Sequence, residues 1–309
     1  MGGMSEAAAT APTVTRPFFV LGAQRSGTTM LRLMLNSHPR LCVPHESKFM
    51  TTFFPLLGQY GDLAAHSNAA RLLDDIARHP AVERGRLIRD KSAILAHPIS
   101  GYSDLIDAIM GERAKADGKM RWGDKTPFYT PDIDILWRLF PESKIVHLVR
   151  DGRDVLLSQR EIEWLPGSLP RIADNWRWMT TICHKVGSVR GAEYFLEIKY
   201  EDLVRDAEGT LRRVCAFLQE PFAAEMLSYH ETAKDAVPRE SLEWHRNSIQ
   251  SPNPDKALAW KHRLSVTDRI IFEQHASETL TLFGYELEHH SSTLKSKFKN
   301  LYYALLARW

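Results

Sequence analysis

Residues Gly22-Ala23-Gln24-Arg25-Ser26-Gly27-Thr28-Thr29 read as a phosphate-binding loop that lacks its lysine. The apolar run Pro17 to Leu21 enters it as a buried strand would, and Thr28 to Ser37 leaves it with Met30, Leu31, Leu33, Met34 and Leu35 on a helix face. A strand, a glycine-bounded turn and a helix N-terminus together make an anion site, because unpaired N–H groups and the positive end of the helix dipole face one point. In the nucleoside-triphosphatase pattern G-x-x-x-x-G-K-[ST], the lysine reaches the β- and γ-phosphates and the hydroxyl binds magnesium. Here Thr28 stands in the lysine position and a cation, Arg25, lies inside the loop. The spacing predicts a site for a phosphate-like group, not for a triphosphate with its metal.

The rest of the chain extends this strand–helix unit. Leu41 to Pro44 predicts a short second strand ending at Glu46; residues 48 to 116 are mostly helical in pattern; Gly123-Asp124-Lys125-Thr126-Pro127 reads as a turn, and Pro131 starts a helix to Phe140. Lys144 to Val149 is the clearest buried strand, ending at Arg150-Asp151-Gly152-Arg153-Asp154 with a helix after it. Residues 170 to 190 predict a long helix, Tyr194 to Lys199 a strand, Ala207 to Leu218 a helix, Asn247 to Asp255 a loop and Val266 to Leu282 a closing helix. Strands alternating with helices predict an α/β fold, a three-layer sandwich of the phosphate-loop type with a central parallel sheet. Ligands of such sheets sit at the carboxyl ends of the strands, where the first loop and Arg150 both fall.

Composition narrows the class. The 309 residues are 44% hydrophobic and 25% charged, with a net charge of +2, so any strong positive field must be local and nucleic acid is not an expected partner. Three scattered cysteines, Cys42, Cys183 and Cys215, offer no disulfide framework or zinc spacing and fit a reducing compartment; the thirteen histidines show no metal spacing. No run reaches the roughly 20 apolar residues that span a bilayer. Residues 1–16 lack an apolar signal region and read as a disordered leader, giving a cytoplasmic default. Residues 291–309, basic and aromatic, read as an amphipathic helix packed on its own domain or a partner; peripheral contact with an anionic inner membrane surface is the rival reading. Residues 17–290 form the expected main domain, and a homodimer is left open.

Taken in order, Gln24-Arg25-Ser26-Gly27-Thr28-Thr29, His45-Glu46-Ser47, Gly123-Asp124-Lys125-Thr126-Pro127 and Ile145-Val146-His147-Leu148-Val149-Arg150-Asp151-Gly152-Arg153-Asp154 resemble the sulfotransferases that use 3′-phosphoadenosine-5′-phosphosulfate (PAPS). The spacing is similar to their tyrosylprotein and heparan branches. Ser158, Tyr200-Glu201-Asp202-Leu203 and the loop from Ser248 to Trp260 extend the resemblance over roughly residues 17 to 282. It implies that Arg25, Ser26, Gly27, Thr28 and Thr29 hold the 5′-phosphosulfate end of the donor, and that Arg150 and Ser158 grip the 3′-phosphate. The physical reading agrees: the loop offers N–H, hydroxyl and guanidinium donors, and the arginine fork suits phosphate. Ser248 and Lys256 fall in a loop similar to the family's lid over the adenosine.

Glu46 then corresponds to the family's general base, a carboxylate expected to be raised in pKa by partial burial. His45 is the rival base, expected to point away from Glu46 if the stretch is extended. Lys125 is implied beside the bridging oxygen, where with Arg25 it would meet charge on the leaving phosphate without magnesium. Arg153 and Asp154 read as surface or capping residues, with Arg153 also within reach of the nucleotide. Trp260 reads as stacked on the nucleotide or as core. Phe49, Phe53, Phe54, Tyr60 and Trp164 read as an acceptor pocket or as core.

The reading is sulfuryl transfer to an acceptor hydroxyl by in-line attack, leaving adenosine 3′,5′-bisphosphate (PAP). The acceptor is a carbohydrate, glycolipid, small metabolite or tyrosyl group; the basic tail leans toward a lipid or glycolipid. A kinase-like phosphotransferase on the same scaffold would need magnesium and ATP, and the missing lysine argues against it. A catalytically silent nucleotide-binding module would have no use for Glu46 and Lys125.

Overall fold

The computed structural model describes residues 16–162, 167–233 and 244–288 and the single positions 237, 242 and 303. The leader, Trp164 and, apart from Tyr303, the C-terminal stretch lie outside the described residues. Tyr303 packs against the core formed by the last helices.

Strand β1 (Phe18–Leu21) is fully buried and lies in the middle of a five-stranded parallel sheet. Its side chains alternate between two cores, Phe19 and Leu21 on one face and Phe18 and Val20 on the other, which is why it reads as a continuous apolar run. The others are β2 (Leu41–Cys42), β3 (Arg121–Lys125), β4 (Lys144–Val149) and β5 (Phe195–Lys199), in the order β2-β3-β1-β4-β5. After β1 the chain moves outward to β2 and back to β3, then crosses to β4 and β5. The reversal leaves the β1 loop at a topological switch point, where open parallel sheets bind ligands. Val20 lies level with Lys125 and Val146, and Val149 with Lys199, so the carboxyl ends of the strands open on one side.

Helix α1 (Thr28–Ser37) starts at Gly27, whose φ of 95° is in the left-handed region that glycine adopts without strain. It buries Met30, Leu31, Leu33, Met34 and Leu35. On the face of the sheet opposite α1, helices α2 (Phe49–Phe53), α3 (His66–Ala77), α4 (Pro80–Arg84), α5 (Lys91–Leu95) and α6 (Tyr102–Ala116) fill the stretch before β3. Helix α7 (Ile133–Leu139) follows β3, and α8 (Gly152–Arg160) and the long α9 (Leu169–Arg190) follow β4. Helices α10 (Tyr200–Arg205), α11 (Ala207–Leu218), α12 (Trp260–Arg263) and α13 (Val266–Leu282) follow β5. Their starts are set by acceptors in the sequence: Asp151 caps α8, Asp206 caps α11 and Ser265 caps α13, each accepting a backbone N–H of the first turn.

The turn expected at Gly123-Asp124-Lys125 is instead the end of β3, buried between β1 and β2. Glycine, aspartate and lysine are poor strand formers, but here tertiary packing overrides propensity. The Phe18 ring lies where a side chain at Gly123 would be: an added Cβ would come within 2.4 Å of it. Gly123→Ala should therefore destabilise the fold by about 1–3 kcal/mol through overpacking. Urea unfolding would show this as a lowered midpoint with an unchanged slope; an unaltered midpoint would mean that the ring has room to move. Pro131 also lies inside a 3-10 segment, Pro127–Asp132, rather than opening α7.

Candidate active site

Every strand of the sheet delivers a residue to one cavity at its carboxyl end. The loop after β1 contributes Arg25, Gly27, Thr28 and Thr29; the segment after β2 contributes His45 and Glu46; Arg150 directly follows β4, and Tyr200 directly follows β5. The segment after β3 contributes Pro127 and Phe128, and Lys125, the last residue of β3, lies behind the wall with its ammonium bonded to the lining residues Glu46 and Thr29.

The first loop is fixed from several sides. Thr130 brackets Gly22, accepting its N–H at 3.1 Å and donating to its carbonyl at 3.2 Å. Gly27 lies on the Tyr200 ring so closely that a Cβ would fall 2.4 Å from it. The same ring lies 4.2 Å beneath the Arg150 guanidinium, a cation–π contact on the order of 0.5–2 kcal/mol. Tyr200 is thus the common floor of the loop and of the arginine. The N–H groups of Gly27, Thr28 and Thr29 open α1 and have no intrahelical acceptor. Ser26 Oγ, in a residue only 1% exposed, has no hydrogen-bond partner among the described residues, and neither has Arg150 Nε. Buried donors left open around a helix N-terminus fit a ligand that brings oxyanions.

The polar residues form two groups. In one, Arg25 Nε donates to Ser158 Oγ at 3.1 Å and its Nη2 to the Trp244 carbonyl at 3.0 Å. Arg150 donates to the Arg25 carbonyl at 3.2 Å and to the Lys256 carbonyl at 2.9 Å. Arg25 holds a φ of 70°, left-handed for a non-glycine residue, a conformation that costs on the order of 1–3 kcal/mol and concentrates at functional sites. Burial lowers its pKa, with the neighbouring Arg150 charge acting in the same sense. In the other group, Lys125 Nζ donates to Glu46 Oε1 at 2.6 Å and to Thr29 Oγ1 at 3.2 Å. The lysine is 2% exposed and the Glu46 side chain 23%. Lys125 therefore joins the phosphate-type loop to the carboxylate.

Glu46 departs from the expectation of a raised pKa. Burial does push it up, but the charge and hydrogen bond of Lys125 outweigh burial and hold the carboxyl at about 2. Nor does His45 point away: β2 ends at Cys42, the following stretch is irregular, and both side chains line the cavity. Burial, reinforced by Lys125, lowers the His45 imidazole to about 4. Ser158 and Ser248 line the same cavity, as does Lys256. Arg153 and Asp154 are 1% exposed rather than at the surface: Arg153 pairs with Asp151 at 2.8 Å and Glu273 at 2.6 Å. Trp260, Phe49, Phe53 and Tyr60 are core, and Phe54 packs against that core. The apolar lining includes Met30, Pro127, Leu157, Ile162 and the half-exposed Phe128 instead.

Sequence reasoning passed over Thr130 and His245, and took Tyr200 only as part of the resemblance, without a role. His245 lines the cavity, and burial, with Lys125 and Arg25 nearby, lowers it to about 3. No local pattern marks Thr130 or His245; Tyr200 belongs to the Tyr200-Glu201-Asp202-Leu203 stretch of the resemblance, directly after a strand.

Known proteins place this arrangement. The profile of the sulfotransferase family matches residues 17–224. Protein-tyrosine sulfotransferase A of Caenorhabditis elegans is 26% identical over 257 residues, covering 80% of this chain. The chain spans 61% of that protein's length, and 32% of that of an uncharacterized Aquifex aeolicus protein, 23% identical over 84% of this chain. Among solved structures, the sulfotransferase domain of the Synechococcus PCC 7002 olefin synthase matches with a TM-score of 0.58 at 24% identity, over 93% of this chain and all of that one. The sulfotransferase domain from the curacin biosynthetic pathway matches at 0.60 and 20% identity, over 90% of this chain and all of that one. These structures share the fold, and the profile spans β1 to the segment after α11, so the chain belongs to the sulfotransferase family.

Proposed function

We propose that the protein transfers a sulfuryl group from PAPS to an acceptor hydroxyl, with Glu46 as the general base. The observation that carries this reading is that one cavity is served by two separate groups, Arg25 hydrogen-bonded to Ser158 beside Arg150, and Lys125 hydrogen-bonded to both Glu46 and the Thr29 hydroxyl of the β1 loop. Arg150, Ser158 and the Arg25 side chain form a site suited to a phosphate monoester, the 3′-phosphate that ATP lacks. The loop N–H groups, Ser26, Thr28 and Thr29 suit the 5′-phosphosulfate, and Lys125 lies where charge on the departing phosphate would be met. Ser248 and Lys256 close the cavity over the nucleotide.

In the reaction the acceptor oxygen forms a bond to sulfur as the sulfur–phosphate oxygen bond breaks. The acceptor proton passes to Glu46, and the electron pair of the broken bond stays on the phosphate of PAP. Lys125 serves both partners, because its ammonium touches Glu46 and the Thr29 hydroxyl at once. The tyrosylprotein relatives make a tyrosyl hydroxyl one acceptor to test, and Phe128 and Pro127 offer apolar contact at the mouth. Carbohydrate, glycolipid and small-metabolite hydroxyls belong in the same screen with labelled donor.

Calorimetric titration without magnesium tests the donor assignment. PAP should bind at least ten-fold more tightly than ADP, a difference of about 1.4 kcal/mol. Equal affinity for the two nucleotides would overturn the reading, because nothing would then be recognising the 3′-phosphate.

A further inference from the structure

The segment that ends β4 holds a distant loop. Arg150 donates to the Lys256 carbonyl at 2.9 Å, and Asp154, on the first turn of α8, accepts twice. Its Oδ2 takes the N–H of Leu258 at 2.7 Å and its Oδ1 the N–H of Trp260 at 2.8 Å. Between these anchors Leu258 holds a φ of 61°, a left-handed conformation unfavourable for a branched side chain. Trp260, 1% exposed, lies against the Arg153 guanidinium 3.5 Å from its ring centroid, so the far end of the loop is fixed on the same segment.

Asp154 and Ser158 are four residues apart on α8 and so share one face. Both line the cavity, and Lys256 and Ala259 line it from the loop. A carboxylate that is 1% exposed and spends both oxygens on backbone N–H groups of one loop is a latch for that loop. Asp154 fixes the amides on both sides of the bend at Leu258, whose carbonyl accepts the Lys261 N–H at 3.1 Å.

We infer that Asp154 is a positioning residue of the donor site: it clasps the Lys256–Trp260 loop to α8, so that the loop closes over the phosphate held by Arg150 and Ser158. This rests on the assignment of that group to the 3′-phosphate. Asp154 bonds the Lys256–Trp260 loop, and Arg150 ties that loop to the β1 loop through the Arg25 carbonyl.

Asp154→Asn keeps the shape of the side chain but can accept only one of the two N–H groups. The variant should bind PAP about ten-fold more weakly and ADP as the natural protein does. Amide exchange at Leu258 and Trp260 should quicken, with exchange in the sheet unchanged. Unaltered PAP affinity, or an equal loss for PAP and ADP, would overturn the proposal, the second outcome being that of a merely structural residue. A variant that fails to fold leaves a second measurement on the natural protein. PAP should slow exchange at the Leu258 and Trp260 amides and ADP should not; no difference between the two would overturn the clasp. Failure of the donor assignment looks different, since PAP and ADP would then bind the natural protein equally.

Discussion

Glu46→Gln should lower the rate of sulfuryl transfer by about 10²–10⁴-fold, the usual contribution of a general base, and leave PAP affinity within a few-fold of its original value. Glutamine keeps the size and one acceptor oxygen of the side chain, so Lys125 retains a hydrogen bond at the position now 2.6 Å from the carboxylate. It cannot take a proton from the acceptor. The measurement is turnover with labelled donor and an acceptor found by the screen, set beside PAP titration of the same preparation. Two imidazoles, His45 and His245, line the cavity with Glu46, which makes this substitution decisive. Turnover that survives within ten-fold would move the base assignment to one of them, and His45→Ala and His245→Ala would then show which. A joint loss of turnover and PAP binding would instead make Glu46 a support for Lys125.

The difference between what the sequence shows and what it hides follows the range of the interactions. The β1 loop, β4, α11 and α13 are legible because a local pattern determines each: an apolar run between turns, or helical periodicity behind a capping Asp or Ser. β3 is hidden because its reasons are remote. Gly123 is there for the ring of Phe18, and Lys125 can be buried because Glu46, from the other side of α2 to α6, neutralises it. The site shows the same division. Arg25, Glu46, Lys125, Arg150 and Ser158 stand out by residue type and order, and the fold brings all five to one cavity or its wall. Thr130 and His245 do not, and Tyr200 stands in the resemblance without a role, since an aromatic floor, a hydroxyl bracket and a loop imidazole acquire their roles only when strands far apart in sequence lie side by side. The pKa of Glu46 departs from its expectation for the same reason: burial is legible from apolar neighbours, but a counter-charge from another strand is not.

Lys125→Met should cost about 10²–10³-fold in turnover, the loss typical of a group that meets charge developing in the transition state. It should also move the acid limb of the pH–rate profile upward. The sign follows from the two influences on Glu46. Burial raises its carboxyl, while the charge and hydrogen bond of Lys125 lower it further, to a net value of about 2. A carboxylate held that low is a weak base, so the pair must loosen for Glu46 to act; an ammonium drawn toward charge on the leaving phosphate, by way of Thr29 at 3.2 Å, loosens it at the moment of transfer. Methionine fills the volume without the charge and leaves burial as the main influence, so Glu46 should protonate well above 2 and the residual activity should fall away at a higher pH than in the natural protein. Stability should change in the same direction. In the natural protein the depressed carboxyl contributes stability that is present above its unfolded pKa of about 4.3 and is lost as pH falls toward 2. In the variant an ionised Glu46 is buried without its counter-charge, so the deficit in melting temperature should be largest at neutral pH and shrink as the carboxyl takes up its proton. An acid limb that stays where it was, with the same melting deficit at every pH, would show that Lys125 does not set the basicity of Glu46.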